Sequence, residues 1–156
     1  MAATSAGILL YRRDSDGLRV LLVHPGGPYW QSRDDGAWSI PKGEVNPDET
    51  PEAAAQREFF EELGATAEGP LVELGDVRPN GGKRVVAFAL EGELDAAGAM
   101  SVTFEMEWPP KSGRLRSFPE VDRACWFTLA DARRKLLSGQ VPLLDRLEAR
   151  PAGGPG

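Results

Sequence analysis

The chain has 156 residues, of which 41% are apolar and 27% charged, and it carries a formal net charge of −6. That length fits one domain able to bury well over half of the surface its unfolded chain exposes, and no run of about eighteen apolar residues is present to span a bilayer. The acidic balance works against nonspecific binding of nucleic acid, which Lys and Arg carry by neutralising phosphates, so a small-molecule ligand is expected. An acidic protein that handles anionic phosphates must overcome its own field, most simply by placing divalent cations between carboxylates and substrate. The first residues, MAATSAGILLYRR, put apolar side chains ahead of arginines, the reverse of a secretory signal, which predicts an intracellular, cytoplasmic protein. Cys125 is the only cysteine, so no internal disulfide can form. In Ala124-Cys125-Trp126-Phe127 it reads as a small buried hydrophobe.

In chain order, Ala6 to Arg12 and Arg19 to His24 are β-rich runs separated by a polar stretch ending in Asp16-Gly17, which predicts neighbouring strands. His24-Pro25-Gly26-Gly27-Pro28 opens a loop reaching to about Gly36, since its prolines cannot continue a helix or a central strand. Trp38 to Ile40 reads as a brief strand. Thr50-Pro51 is a helix start and Gly64 the matching stop, with good helix formers between them. Leu71 to Asp76 and Arg84 to Glu91 read as strands joined across Pro79-Asn80-Gly81-Gly82, and Val102 to Glu107 and Ala124 to Thr128 as two more. Leu129 to Leu137 and Val141 to Ala149 are expected to be helices. A single domain over residues 1–150 is predicted, with 151–156 as a mobile tail because it lacks an apolar anchor. No internal repeat is present, and oligomeric state is not readable.

The chemistry concentrates in the first helix. Glu58, Glu61 and Glu62 stand at i, i+3 and i+4, so their carboxylates share one face. Phe59, Phe60 and Leu63 are expected on the opposite arc, pressed into the core. Like charges at this spacing repel, and a hard dication with oxygen ligands, Mg²⁺ or Mn²⁺, would reverse that cost. Dense glutamates are also what a solvated helix face presents, so the surrounding residues decide. From Gly43 the chain reads glycine, five residues, Glu49, seven residues, Arg57-Glu58-Phe59, one residue, Glu61-Glu62, one residue, Gly64-Ala65.

This pattern resembles the Nudix box, G-x5-E-x7-R-E-U-x-E-E-x-G-U with U bulky and apolar, at every position but the last, where Ala65 is smaller than usual. The resemblance runs from about Ala6 to Leu136. Periodicity alone supports a mixed α and β domain, and the resemblance implies an α+β Nudix fold, an α/β/α sandwich with a mixed β-sheet. It implies Glu58, Glu61 and Glu62 as metal ligands, with a backbone carbonyl near Lys42 and Gly43 as another oxygen donor. Arg57 and Glu49 are expected to pair and orient those glutamates. Several members use a further glutamate six residues before a tryptophan of a late strand, and Glu120 stands six before Trp126. It is expected on a loop as ligand or general base, with Glu105 and Glu107 as weaker candidates. The implied reaction is attack of a metal-activated water on phosphorus, cutting a pyrophosphate linkage in a nucleoside diphosphate derivative.

For the substrate, Trp38-Ser39-Ile40-Pro41-Lys42-Gly43-Glu44 is similar to the stretch leading into the box of diadenosine polyphosphate hydrolases. Lys42, and Lys83 or Arg84, are candidates for meeting phosphates, and Tyr29, Trp30 and Trp38 for stacking an adenine. His24, the sole histidine, reads as a polar strand-end residue. The loop from His24 to Asp35 and an insert from Trp108 to Phe118 are expected to shape the pocket. A dinucleoside polyphosphate such as diadenosine tetraphosphate is the first substrate expected, although the tyrosine often found past the box is missing. ADP-ribose is second because Pro79 lies where its hydrolases often carry proline, and a nucleoside triphosphate is a further alternative. Readings of another class are a noncatalytic nucleotide sensor, which typically lacks box carboxylates that this chain keeps, and an isoprenyl diphosphate isomerase, whose cysteine chemistry Cys125 does not obviously supply.

Overall fold

The computed structural model describes residues 4–78 and 82–150. The Pro79-Asn80-Gly81 connection and the tail at 151–156 lie outside the described residues. Among the described residues, eight strands and three α-helices follow in the order β1 (Thr4–Asp14), β2 (Gly17–Pro25), β3 (Lys42–Glu44), α1 (Pro51–Leu63), β4 (Val72–Val77), β5 (Arg84–Glu91), β6 (Thr103–Glu107), β7 (Leu115–Pro119), β8 (Val121–Thr128), α2 (Leu129–Lys135) and α3 (Pro142–Glu148).

The main sheet runs β4-β5-β1-β2-β8, with β3 added on β1. β1 lies parallel to β5 and antiparallel to β2 and β3, so the sheet is mixed, as expected. Alternation along the strands sends successive side chains to opposite faces. Ile8, Leu10, Leu21, Val23, Val86 and Phe88 pack with Ala54, Ala55, Phe59 and Leu63 of α1. Leu9, Val20, Leu22, Val85, Ala87 and Ala89 pack instead with Leu136 and with Leu143, Leu144 and Leu147 of α3. Each fully buried Leu or Ile contributes about 1.5–3 kcal/mol, and two apolar faces on one sheet require a helix layer on each side. The predicted α/β/α sandwich is the result. Among the described residues, no helix is long and apolar enough to cross a membrane.

β1 and β2 pair only at their hairpin end, Tyr11 with Val20 through Asp14 with Gly17. Beyond that point they splay, and residues 39–44 wedge between them: Ser39 bridges Val23, while Lys42, Gly43 and Glu44 pair with Gly7, Ala6 and Ser5. Trp38 to Ile40 is therefore not a strand of its own. It forms isolated bridges, and the strand lies just after it at Lys-Gly-Glu, a triplet without β propensity that is extended because both flanking strands need partners. The wedge depends on Gly7, where a Cβ would stand 2.5 Å from the Pro41 carbonyl oxygen.

The insert from Trp108 to Phe118 is also more ordered than expected. Its second half is β7, paired with β6 from Thr103–Pro119 to Glu107–Leu115 as a separate two-stranded hairpin. The helix expected from Leu129 to Leu137 ends at Lys135, where Leu136 turns to an extended backbone and is buried.

Candidate active site

α1 begins as its sequence dictates. Thr50 caps it by accepting a hydrogen bond from the Ala53 amide, Pro51 occupies the first turn, and Gly64 ends it at φ 73°, a left-handed conformation suited to glycine. The buried stripe differs from the expectation. Phe59 is buried, but Phe60 is 55% exposed, and the stripe is completed by Ala54 and Ala55. At about 100° of rotation per residue, Glu58 and Glu62 project between the two alanines, along the ridge Ala54-Glu58-Glu62. The carboxylates thus leave the helix at its junction with the sheet rather than opposite it, and Phe60 points to solvent because it lies farthest from that junction.

Arg57 is the hub that gathers the acids. Its guanidinium holds Glu49 bidentately at 2.8 and 2.9 Å, the pairing expected from the sequence. It also donates to Glu58 at 2.7 Å, to Glu61 at 3.2 Å and to the Glu44 carbonyl oxygen at 2.9 Å. The Glu49 carboxyl, held first by Arg57 and then by the Asn46 amide, drops to about 2. Gly43 explains itself here: a Cβ at that position would lie 2.0 Å from the Glu58 carboxyl carbon. The glycine lets β3 close onto the helix while the carboxylate passes over it.

Beside this hub opens a cleft of about 300 Å³ whose wall includes Trp30, Ser39, Ile40, Lys42, Glu62 and Glu120. Glu62 is half-buried in it, and its carboxyl is pushed up to about 8, first by burial and then by the charges of Glu58 and Glu120, with Lys42 pulling the other way. Glu58 is raised too, by burial first and by the charges of Glu61 and Glu120, against the opposing bond from Arg57. Three carboxyls from two segments, α1 and the β7–β8 turn, therefore feel one another. Among the described residues no three acids stand as a preformed metal cage, and oxygens of Glu58 and Glu61 are turned onto Arg57. The donor chemistry nonetheless fits a hard dication: all ligands are oxygen, and their repulsion is what a cation would relieve.

The structure sorts the remaining candidates. Glu120 sits at the turn between β7 and β8 and reaches the cleft, and Lys42 lines it from β3. Trp38 is 2% exposed, with its indole N–H donating to Asp34 and its ring edges against His24 and Phe127. It is a core residue with no face free for a base. Tyr29 is 61% exposed and packs on Trp108 outside the cleft lining, whereas its neighbour Trp30 forms part of the wall. Lys83 pairs with Glu44 and Arg84 with Asp76, each at 2.8 Å, and neither lines the cleft. Glu105 points from β6 to solvent, and Glu107 accepts from the Lys111 and Gly113 amides to close the hairpin loop. Cys125 is half-buried, and burial raises its thiol.

Two contributors carried no readable signal in the sequence. Gln140 is fully buried, accepting from the Ile40 amide and donating to Ser39 Oγ, and so it anchors the segment entering the wedge. Asp122 meets His24 Nδ1 at 2.8 Å across 98 residues of chain.

The chain is similar to the RNA pyrophosphohydrolase of Pseudomonas fluorescens, 43% identical over 61 residues, a match covering 35% of this chain and 38% of that protein. It is likewise 41% identical over 71 residues to the RNA pyrophosphohydrolase of Pseudomonas paraeruginosa, covering 42% and 40%. The matched segments thus span well under half of these relatives. The fold is similar to that of the Caenorhabditis elegans Ap4A hydrolase in a binary complex, with TM-score 0.64, 23% identity and coverage of 94% of this chain and 96% of that one. The NUDIX domain of Shewanella oneidensis NrtR, complexed with ADP ribose, has TM-score 0.63 at 17% identity, covering 95% and 87%. The model of the NUDIX domain matches residues 1–147, and the chain belongs to that family.

Proposed function

We propose that this chain is a pyrophosphohydrolase that cuts a phosphoric anhydride in a nucleoside diphosphate derivative, working with Mg²⁺ or Mn²⁺. The observation that carries the reading is the convergence of Glu62 from α1 and Glu120 from the β7–β8 turn on a cleft that Lys42 also lines, with Glu58 close enough for its charge to act on Glu62. Nudix enzymes generally use a divalent metal, and relatives matched over part of their length are named as pyrophosphohydrolases. Glu58, Glu61, Glu62 and Glu120 would hold the ions, with the backbone carbonyl at Lys42 and Gly43 as a further donor. Bound dications supply charge neutralisation on phosphate oxygens and make a water easier to ionise.

The chain's own groups do the rest. Arg57, clamped by Glu49, holds the Glu58 and Glu61 side chains together at one turn of α1. The Lys42 ammonium meets a phosphate oxygen. A carboxylate of the Glu62 and Glu120 pair accepts the proton of the attacking water, because both line the cleft. Trp30 supplies an apolar wall against which a nucleobase packs.

A dinucleoside polyphosphate such as diadenosine tetraphosphate is the first substrate; the whole-chain likeness of fold to an Ap4A hydrolase supports that order. ADP-ribose is second, and a nucleoside triphosphate third. The noncatalytic alternative, a domain that senses a nucleotide, has one supporting observation, the likeness of fold to the ADP-ribose-bound NUDIX domain of NrtR. The test is incubation of the pure protein with Mg²⁺ or Mn²⁺ and diadenosine tetraphosphate, ADP-ribose, a nucleoside triphosphate or RNA bearing a 5′ triphosphate, with products identified by mass. Turnover of one class that stops on adding chelator is expected. Binding without turnover of any of them sinks the enzymatic reading and leaves the sensor.

A further inference from the structure

His24 is fully buried at the end of β2, and neither of its ring nitrogens is spare. Nε2 donates to the Arg33 carbonyl oxygen at 2.6 Å, and Nδ1 meets Asp122 Oδ1 at 2.8 Å. The ring edge rests on Trp38 at 5.2 Å between centroids. Its two partners belong to the two segments that wall the cleft at Trp30 and at Glu120.

Arg33 closes the loop that carries Trp30: its amide donates to the Trp30 carbonyl, and the Trp30 amide to the Gly27 carbonyl. Asp122 is the extra residue of a β-bulge. His24 pairs with Arg123 and Pro25 with Val121, so Asp122 has no partner across the ladder. A bulge re-aims the side chains around it, and this one stands where β8 begins, two residues after Glu120. The Gly26 amide, donating to the Glu120 carbonyl at 2.9 Å, makes a second rung on the same turn. A Cβ on Gly26 would lie 1.9 Å from the Pro119 carbonyl oxygen, so the backbone just after β2 leaves no room for a side chain against this turn.

We propose that His24 is a positioning residue that sets the separation of the two cleft walls, one ring nitrogen holding the Trp30 loop and the other holding the bulge that aims Glu120. An imidazole suits this task because its two nitrogens point in fixed, divergent directions from one rigid ring. The proposal rests on the reading of the cleft as the active site for its kinetic consequence, but not for its structural one.

The two rungs can be cut separately. Asparagine places an amide near Nδ1 and keeps the bond to Asp122, while glutamine reaches the Nε2 position and keeps the bond to Arg33. Hydrogen exchange read by mass on segments 27–36 and 119–123 reports each wall without requiring activity. His24→Asn is expected to speed exchange of segment 27–36 by about tenfold, the scale of one lost hydrogen bond, and His24→Gln to do the same for segment 119–123. Asp122→Ala, which alters a side chain outside the core, is expected to match His24→Gln and serves if either histidine variant fails to fold. With whichever panel substrate the parent turns over, His24→Asn is expected to raise KM and His24→Gln to lower kcat, each by about tenfold with the other constant within about twofold. Equal loosening of both segments by both variants overturns the proposal, as does parental exchange of segment 119–123 in Asp122→Ala. A parent that hydrolyses nothing in the panel defeats the proposed function and leaves the exchange result to decide this one.

Discussion

The two faces of the sheet solve opposite problems. On the face covered by α3, Leu143, Leu144 and Leu147 are buried among Leu9, Val20 and Leu22, and the charges lie outside, as in the Arg133 pairs with Asp145 and Glu148 at 2.7 and 3.1 Å. On the face covered by α1, Glu58 and Glu62 leave the helix between Ala54 and Ala55, and burial raises both carboxyls. Burying an acid without a cation is unfavourable, so the α1 face holds its charges at a cost that the α3 face avoids. The difference teaches that one layer buries acids where the other buries only apolar side chains, and on the proposed function activity and stability should separate between them.

The largest expected effect breaks that comparison from the α1 side. Glu62→Gln should lower turnover by about 10² to 10⁴, the usual loss when a base or ligand goes, equivalent to about 3–5 kcal/mol of barrier. Its melting temperature should not fall, because an amide of the same shape carries no charge to bury. Steady-state kinetics beside a thermal melt checks both halves, and unchanged turnover removes the role from Glu62. The mirror experiment is Leu144→Ala, at a fully buried side chain of the other layer. Truncation there should cost about 2–5 kcal/mol in denaturant unfolding while the folded fraction keeps the parental kcat; a selective loss of kcat would show that the layers are coupled. Gly43→Ala sharpens the contrast with a smaller effect. Its methyl meets the Glu58 carboxylate, not the core, so turnover should drop by about 10- to 100-fold, as for a lost supporting contact, with a far smaller stability change than Leu144→Ala.

The local part of this architecture was legible. Thr50, Pro51 and Gly64 bound α1, and the unbroken apolar runs Ile8, Leu9, Leu10 and Val85 to Leu90 mark strands buried on both faces. Legibility failed where a neighbour distant in sequence decides the outcome. Phe60 and Phe59 are chemically the same, and only the position of the sheet makes one buried and the other exposed. Trp38 reads as a stacking platform in a loop-flanked run, yet the packing of His24 and Phe127 around it makes it core. β7 was missed because Leu-Arg-Ser-Phe-Pro has little β character and pairs with β6 away from the main sheet.

The amino-acid sequence by itself determined the box, the helix that presents it, the Glu49–Arg57 clamp and the family, because all of these depend on residues within about two dozen positions and on the fixed pitch of one helix. Tertiary structure alone decided that Lys42, Glu62 and Glu120 share a cleft, that residues 39–44 wedge between splayed strands, and that His24 joins Asp122 to Arg33. Those arrangements require segments up to 98 residues apart to meet, and side-chain periodicity carries no information about which strand ends will adjoin once the sheet is assembled.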